Sequence, residues 1–161
     1  MTELLRPVML LMPCLVTDMT DFAFIDSGAG GIPYMNSLLA RKSDAACVYI
    51  ADNRNFPYGE KSHEEVVACV VPLAKKICKV FEPRVIVVAC NTISVNALEE
   101  LRRQIPDVSF VGTVPAIKLA AGISKKKRLG LLATKATVNN PYNDELMKNF
   151  AGDCSLVTRG D

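Results

Sequence analysis

Val85-Ile86-Val87-Val88-Ala89-Cys90-Asn91-Thr92 is an unbroken apolar run that stops at a thiol, an amide and a hydroxyl. Four of its first five residues are β-branched, the composition of a strand buried on both faces of a parallel sheet. The next segment, Asn91 to Arg103, reads as a helix, with Val95, Leu98 and Leu101 at helical spacing. Cys90 therefore falls where a strand's carboxyl end meets a helix N-terminus. Ligands of open α/β sheets bind in the crevice outside the strand carboxyl ends, and a helix N-terminus favours a thiolate and can hold a carboxylate. Two readings of Cys90 follow: a reactive cysteine, or a small core residue of a commonly buried type.

Working outward, Asp21 to Ile25 reads as a short strand and Asp26-Ser27-Gly28-Ala29-Gly30-Gly31 as the turn after it. Its glycines permit backbone angles and close ligand approach that side chains would forbid. A dinucleotide fingerprint would need glycine at position 33, where Pro33 stands, so that reading fails. Pro33 instead suits the first turn of a helix carrying Met35, Leu38 and Leu39. Asp26 and Ser27 then occupy a strand carboxyl end, as Cys90 does, with a turn aspartate capping that helix as the alternative. Ala45 to Ala51 is a further strand ending at Asp52, and Asn53 to Lys61 is a polar loop. Ser62-His63-Glu64-Glu65 has the spacing of a capping box. The helix it opens carries Val66, Val67, Val70, Ala74, Ile77 and Cys78 on one stripe, with Cys69 and Cys78 as packing residues and Pro72 predicting a kink. His63 is expected to be solvated.

Half of the 161 residues are apolar and 22% are charged, a globular composition, and a formal net charge of +2 demands no nucleic-acid or acidic-membrane partner. The six cysteines are scattered, without a Cys-x-x-Cys pair, which is the cytosolic use of reduced thiols, so neither a disulfide framework nor a metal site is expected. In residues 1–20, Arg6 and the apolar stretch Val8 to Val16 resemble a weak signal peptide, but Pro13 interrupts the run and it is too short to span a bilayer. The reading is an N-terminal extension or a start placed too early.

Beyond the central strand, Val108 to Gly112 is a fourth strand, Thr113 to Ile117 opens a helix, and Lys125 to Arg128 is a solvated basic turn before the strand Leu129 to Ala133. A polar cluster, Thr134 to Thr137, follows. Pro141 to Phe150 is a helix that Gly152 can end, and Ser155 starts another strand. This alternation predicts an α/β fold: a three-layer parallel-sheet domain over residues 21–112, then the start of a similar α/β domain over 113–161, which is too small to fold alone and is expected to be cut short.

Together these segments resemble the glutamate racemase family. The resemblance rests on Asp26 to Gly31, Tyr49 to Asn53 through Phe56 to Ser62, Val88-Ala89-Cys90-Asn91-Thr92, Gly112 to Ile117 and Gly130 to Thr137, in that family's order and spacing. It implies two α/β domains facing across a cleft, and cofactor-independent inversion of glutamate in the cytoplasm to supply D-glutamate for peptidoglycan. By motif match Cys90 is the base for the D-enantiomer, Asp26 assists it and Asp52 helps. Ser27, Tyr58, Gly59, Asn91, Thr92, Thr134 and Thr137 match positions that hold the substrate. The resemblance also implies a homodimer of complete chains, and some members are reported to bind DNA gyrase.

An ordinary thiol has a pKa near 8.5 and a helix terminus shifts it by less than about one unit, so the dipole alone does not make a thiolate. A nearby carboxylate would raise it further, which casts Asp26 as a proton acceptor or relay and the substrate ammonium as the stabilising charge. The family's second cysteine stands in a Gly-Cys-Thr-His motif that is absent here; Cys154, in Gly-Asp-Cys-Ser, does not match it. One face of the substrate is then left without a donor and racemisation is not expected to be completed. The alternatives are a racemase for another acidic amino acid such as aspartate, and a non-catalytic binding module.

Overall fold

A computed structural model describes residues 20–161, so the expectation for the N-terminal extension lies, but for Thr20, outside the described residues. The first half runs β1 (Phe22–Asp26), α1 (Ile32–Leu39), β2 (Cys47–Ala51), a 3-10 turn (Tyr58–Glu60), α2 (His63–Phe81), β3 (Val85–Val88), α3 (Asn91–Gln104) and β4 (Ser109–Gly112). Its strands form one parallel sheet in the order β2-β1-β3-β4, with Phe24 opposite Tyr49 on one side and Val87 on the other. The α/β, parallel-sheet fold expected from the alternation is present.

Both faces of β3 are covered, as its β-branched run requires. On one face Ile25, Ile86 and Val88 pack with Val66, Val70, Ala74 and Ile77 of α2 and Ile93, Ala97 and Leu101 of α3. On the other, Phe24, Tyr49 and Ala89 meet Met35 of α1. Cys69 and Cys78 lie partly buried against the first core, and His63 is exposed. The capping box closes as its spacing dictates: Ser62 Oγ accepts from Glu65 N–H, and the Glu65 carboxylate accepts from Ser62 N–H at 2.7 Å. Helix α2 continues through Pro72 as one 19-residue element.

The second half comprises α4 (Ile117–Ile123), β5 (Arg128–Ala133), α5 (Lys135–Val138), α6 (Tyr142–Phe150) and β6 (Ser155–Gly160), with β5 and β6 a parallel pair separate from the first sheet. Its core gathers Ile117, Ala121, Leu129, Leu146 and Ala151. The expected helix at Thr113 starts only at Ile117. Thr113 N–H instead donates to Val88 O at 3.2 Å, and Pro115 bars helical geometry at Val114. Among the described residues no helix is long and apolar enough to cross a membrane.

Candidate active site

Asp26, Ser27, Asp52 and Cys90 lie at the carboxyl ends of the four-stranded sheet, because parallel strands of one sheet deliver their following turns to the same edge, while Thr134 follows a strand of the second sheet. Asp26 ends β1 and Ser27 follows it, Asp52 follows β2, Cys90 follows β3 and Thr134 follows β5. Backbone bonds fix the first three loops together: Asp52 N–H donates to Asp26 O and Ala89 N–H to Ile25 O, both at 2.8 Å.

Cys90 is the N-cap of α3, and only 9% of it is exposed. It packs in the core and stands at the N-terminus of a helix. Its thiol donates to Ser27 Oγ at 3.7 Å. Burial, the largest effect, pushes the thiol above its ordinary range. The Ile93 amide, the Ser27 hydroxyl and the Ser27 amide pull it down, while the Asp26 charge adds to the rise. The thiol form is therefore favoured without substrate.

Asp26 is buried and richly bonded. Its Oδ1 accepts from Ser27 N–H at 2.8 Å, and its Oδ2 accepts from Gly31 N–H at 3.0 Å and from the Tyr49 hydroxyl at 2.9 Å. Gly31 is the N-cap residue of α1 and the helix has no side-chain cap, so Asp26 ties down the turn before that helix rather than capping it. The bond from Cys90 goes to Ser27, whose backbone Asp26 orients.

No described glycine has a positive φ, so the turn does not use the backbone freedom that its glycines permit. Close approach explains Gly31 instead. A Cβ there would stand 2.6 Å from Ala89 Cβ and 2.9 Å from the Tyr49 hydroxyl, whereas one on Gly28 would meet nothing within 4 Å.

A second group of residues joins the two halves of the chain. Thr92 Oγ1 lies 2.9 Å from Thr134 Oγ1 and 3.2 Å from Thr137 Oγ1, and the last two are 3.0 Å apart. Three hydroxyls with three mutual hydrogen bonds can each donate once and accept once around the triangle, leaving acceptor capacity on every oxygen. Gly59 sits against this cluster, where a Cβ would come within 2.7 Å of Thr134 Cβ and Cγ2. Asn91 is exposed as the first residue of α3.

Tyr58 is only 1% exposed, and its hydroxyl donates to Asp52 Oδ2 at 2.6 Å. The same oxygen accepts from Asn55 Nδ2 at 2.8 Å. Burial and then the Asp52 bond drive the Tyr58 phenol far above its ordinary pKa, so it remains a donor. Tyr58 and Asp52 thus form a pair that braces the loop between β2 and α2.

Sequence reasoning missed Tyr49 and Ser94. The Tyr49 hydroxyl also accepts from Gly31 N–H at 3.1 Å. Ser94 Oγ donates to Val88 O at 3.0 Å and accepts from Thr113 N–H at 3.1 Å, tying α3 to the ends of β3 and β4. The only signal for either was a hydroxyl inside an otherwise apolar pattern.

The Asp/Glu/Hydantoin racemase family model matches residues 32–158. The chain is 45% identical over 140 residues to a glutamate racemase of Treponema pallidum, a match covering 87% of this chain and 52% of that protein. It is 42% identical over 135 residues to one from Proteus mirabilis, covering 84% and 47%. The structure is similar to that of Escherichia coli glutamate racemase in complex with L-glutamate and the activator UDP-MurNAc-Ala, with a TM-score of 0.80 at 37% identity over 88% of this chain and 53% of that one. It is likewise similar to the Aquifex pyrophilus glutamate racemase, with a TM-score of 0.78 at 28% identity over 88% and 55%. The chain spans about half the length of the curated relatives it matches.

Proposed function

The chain belongs to the Asp/Glu/hydantoin racemase family, and on that premise we propose that it carries the D-enantiomer side of a glutamate racemase site, with Cys90 as the base. The observation that supports this most is the pairing of Cys90 Sγ with Ser27 Oγ at 3.7 Å, two residues from the first threonine of the hydroxyl triangle. A thiol and a carboxylate-binding group are thereby offered on one strand-to-helix junction.

In this mechanism the substrate ammonium enters beside Cys90 and offsets the burial that holds the thiol protonated. The proton leaves the sulfur through the Ser27 hydroxyl, which takes it and passes its own proton on to the Asp26 carboxylate, so that Ser27 ends neutral. The Ser27 hydroxyl then turns to donate to the thiolate. The sulfur lone pair takes the α-proton, the C–H electron pair remains on the α-carbon, and the new S–H exchanges with solvent before it returns a proton to that carbon. A substrate carboxylate is received by the threonines, where one O–H turns outward and exchanges a neutral hydrogen bond for a charge-assisted one. Asn91, Gly59 and Tyr58 shape the same end, Tyr58 through Asp52. Asp26 positions Ser27 through the Ser27 backbone amide and accepts the proton relayed from the sulfur.

Inversion needs a donor on the opposite face, which in the family stands in a Gly-Cys-Thr-His motif that these 161 residues do not contain. Alone, this polypeptide delivers a solvent-derived proton to the face from which the first was taken. In a complete two-cysteine enzyme the reaction is cofactor-independent, is carried out by a homodimer in the cytoplasm and provides D-glutamate for peptidoglycan. The test is proton NMR of D-glutamate with the chain in D2O. Loss of the α-proton signal with retained configuration, abolished in Cys90→Ala, supports the reading. No exchange above the Cys90→Ala background overturns it, and faster exchange of D-aspartate reassigns the substrate.

A further inference from the structure

Behind the threonine triangle, three asparagines join the same two segments a second time. Asn96 Nδ2 donates to Thr92 O at 2.8 Å, and Asn96 Oδ1 accepts from Asn140 Nδ2 at 3.1 Å. Asn140 Nδ2 also donates to Val95 O at 3.0 Å. Asn143 Nδ2 donates to Thr137 O at 2.7 Å and to Asn140 O at 3.2 Å. The chain of bonds therefore runs from the backbone of Thr92 to that of Thr137, linking two of the three residues whose hydroxyls form the triangle. Asn96 and Asn143 are buried, at 7% and 3% exposure, so water competes little for these bonds. Asn140 Oδ1 accepts from Tyr142 N–H at 2.9 Å, which fixes the orientation of its amide.

We propose that Asn96, Asn140 and Asn143 are positioning residues that set the placement of the Thr92, Thr134 and Thr137 hydroxyls. The inference deepens the reading that this triangle receives a substrate carboxylate, and rests on it for its functional consequence. Helix α5 has only four residues and follows a strand of the two-stranded sheet, whereas Thr92 belongs to α3 beside the four-stranded sheet. Neither sheet by itself sets the distance between the hydroxyls, so a crossing brace is required to hold three oxygens within 3.2 Å of one another. Small errors of placement are costly where a group must meet a ligand in one geometry.

The discriminating substitution is Asn140→Asp. It keeps the acceptor for Tyr142 N–H but removes the donor to Val95 O and sets a carboxylate oxygen against Asn96 Oδ1. Asn140→Ser removes the same cross-link without adding charge, and Asn139→Asp, at an exposed neighbour, is the control. Two readouts are taken on the full chain: the γ-methyl resonances of Thr92, Thr134 and Thr137, and D-glutamate affinity by titration. The expected result is displacement of all three methyl resonances and roughly tenfold weaker binding in both Asn140 variants, with near-UV circular dichroism retained and the control unchanged. Methyl resonances and affinity equal to wild type in a folded Asn140→Ser variant overturn the proposal. If the wild-type chain binds no glutamate, it is the carboxylate reading that fails, and the methyl resonances still decide whether the brace places the triangle.

Discussion

The Cys90 thiol lies 3.7 Å from the Ser27 hydroxyl and donates to it, joining the turn after β1 to the N-terminus of α3. In the thiolate state the direction reverses and the hydroxyl donates to sulfur. Ser27 thereby lowers the thiol pKa, while burial and the Asp26 charge raise it.

Opposite pH shifts are expected from two neighbouring substitutions. Ser27→Ala removes a group that stabilises the thiolate and moves the pH profile of Cys90 alkylation upward. Asp26→Asn removes negative charge and moves it downward. Iodoacetamide labelling followed by peptide mass spectrometry, from pH 6 to 10, reads both; shifts of the same sign in the two variants contradict the assignment.

Raised thiol pKa also has a stability consequence. The folded chain holds the Cys90 proton more tightly than the unfolded chain, so this contribution is fully present below about pH 8.5 and is lost as pH rises through the folded value. Urea denaturation at pH 7 and pH 10 is expected to show a smaller pH-dependent loss in Cys90→Ala than in wild type.

Gly59→Ala forces a Cβ to 2.7 Å from Thr134, an overpacking that costs about 1–3 kcal/mol. It is expected to lower the melting temperature and weaken D-glutamate binding together. Gly28→Ala, which meets nothing within 4 Å, is expected to leave the melting temperature within about a degree of wild type.

Tyr58→Phe deletes the 2.6 Å bond to Asp52 and leaves the buried carboxylate with the Asn55 amide as its remaining side-chain donor. A loss of about 1.5–3 kcal/mol is expected, the range for hydrogen bonds to charged groups. A loss below about 0.5 kcal/mol in urea titration would show that Asp52 finds another donor.

Ser62→Ala opens the capping box of α2 and is expected to cost about 0.5–2 kcal/mol. Ser62→Asp retains an N-cap acceptor and is expected to recover most of it. Thermal unfolding of the two variants checks this.

Local pattern and periodicity carried the reading where one segment suffices. The apolar run Val85 to Ala89 announced a central parallel strand, and a strand followed by a helix places Cys90 at their junction whatever the rest of the chain does. The Ser62 and Glu65 spacing fixed the start of α2 because both partners lie within one turn. The helix expected at Thr113 was misplaced because Thr113 finds its acceptor on Val88, 25 residues away in sequence.

The sequence by itself determined the alternation of strands and helices, and hence that Asp26, Asp52 and Cys90 share the carboxyl edge of one parallel sheet, since that follows from chain direction alone, whereas Thr134 follows a strand of the separate second sheet. Only the tertiary structure decided which of these groups touch. Thr92 and Thr134 are 42 residues apart, and Tyr49 reaches Asp26 across 23; neither pair shares a local pattern. The same holds for Tyr58, whose match to a substrate-binding position gives no hint that its hydroxyl lies buried on Asp52. Hydrogen bonds between distant segments depend on the register of β1 with β2 and on how α5 packs against α3, and these are fixed by the summed burial of two cores rather than by any residue's neighbours in sequence.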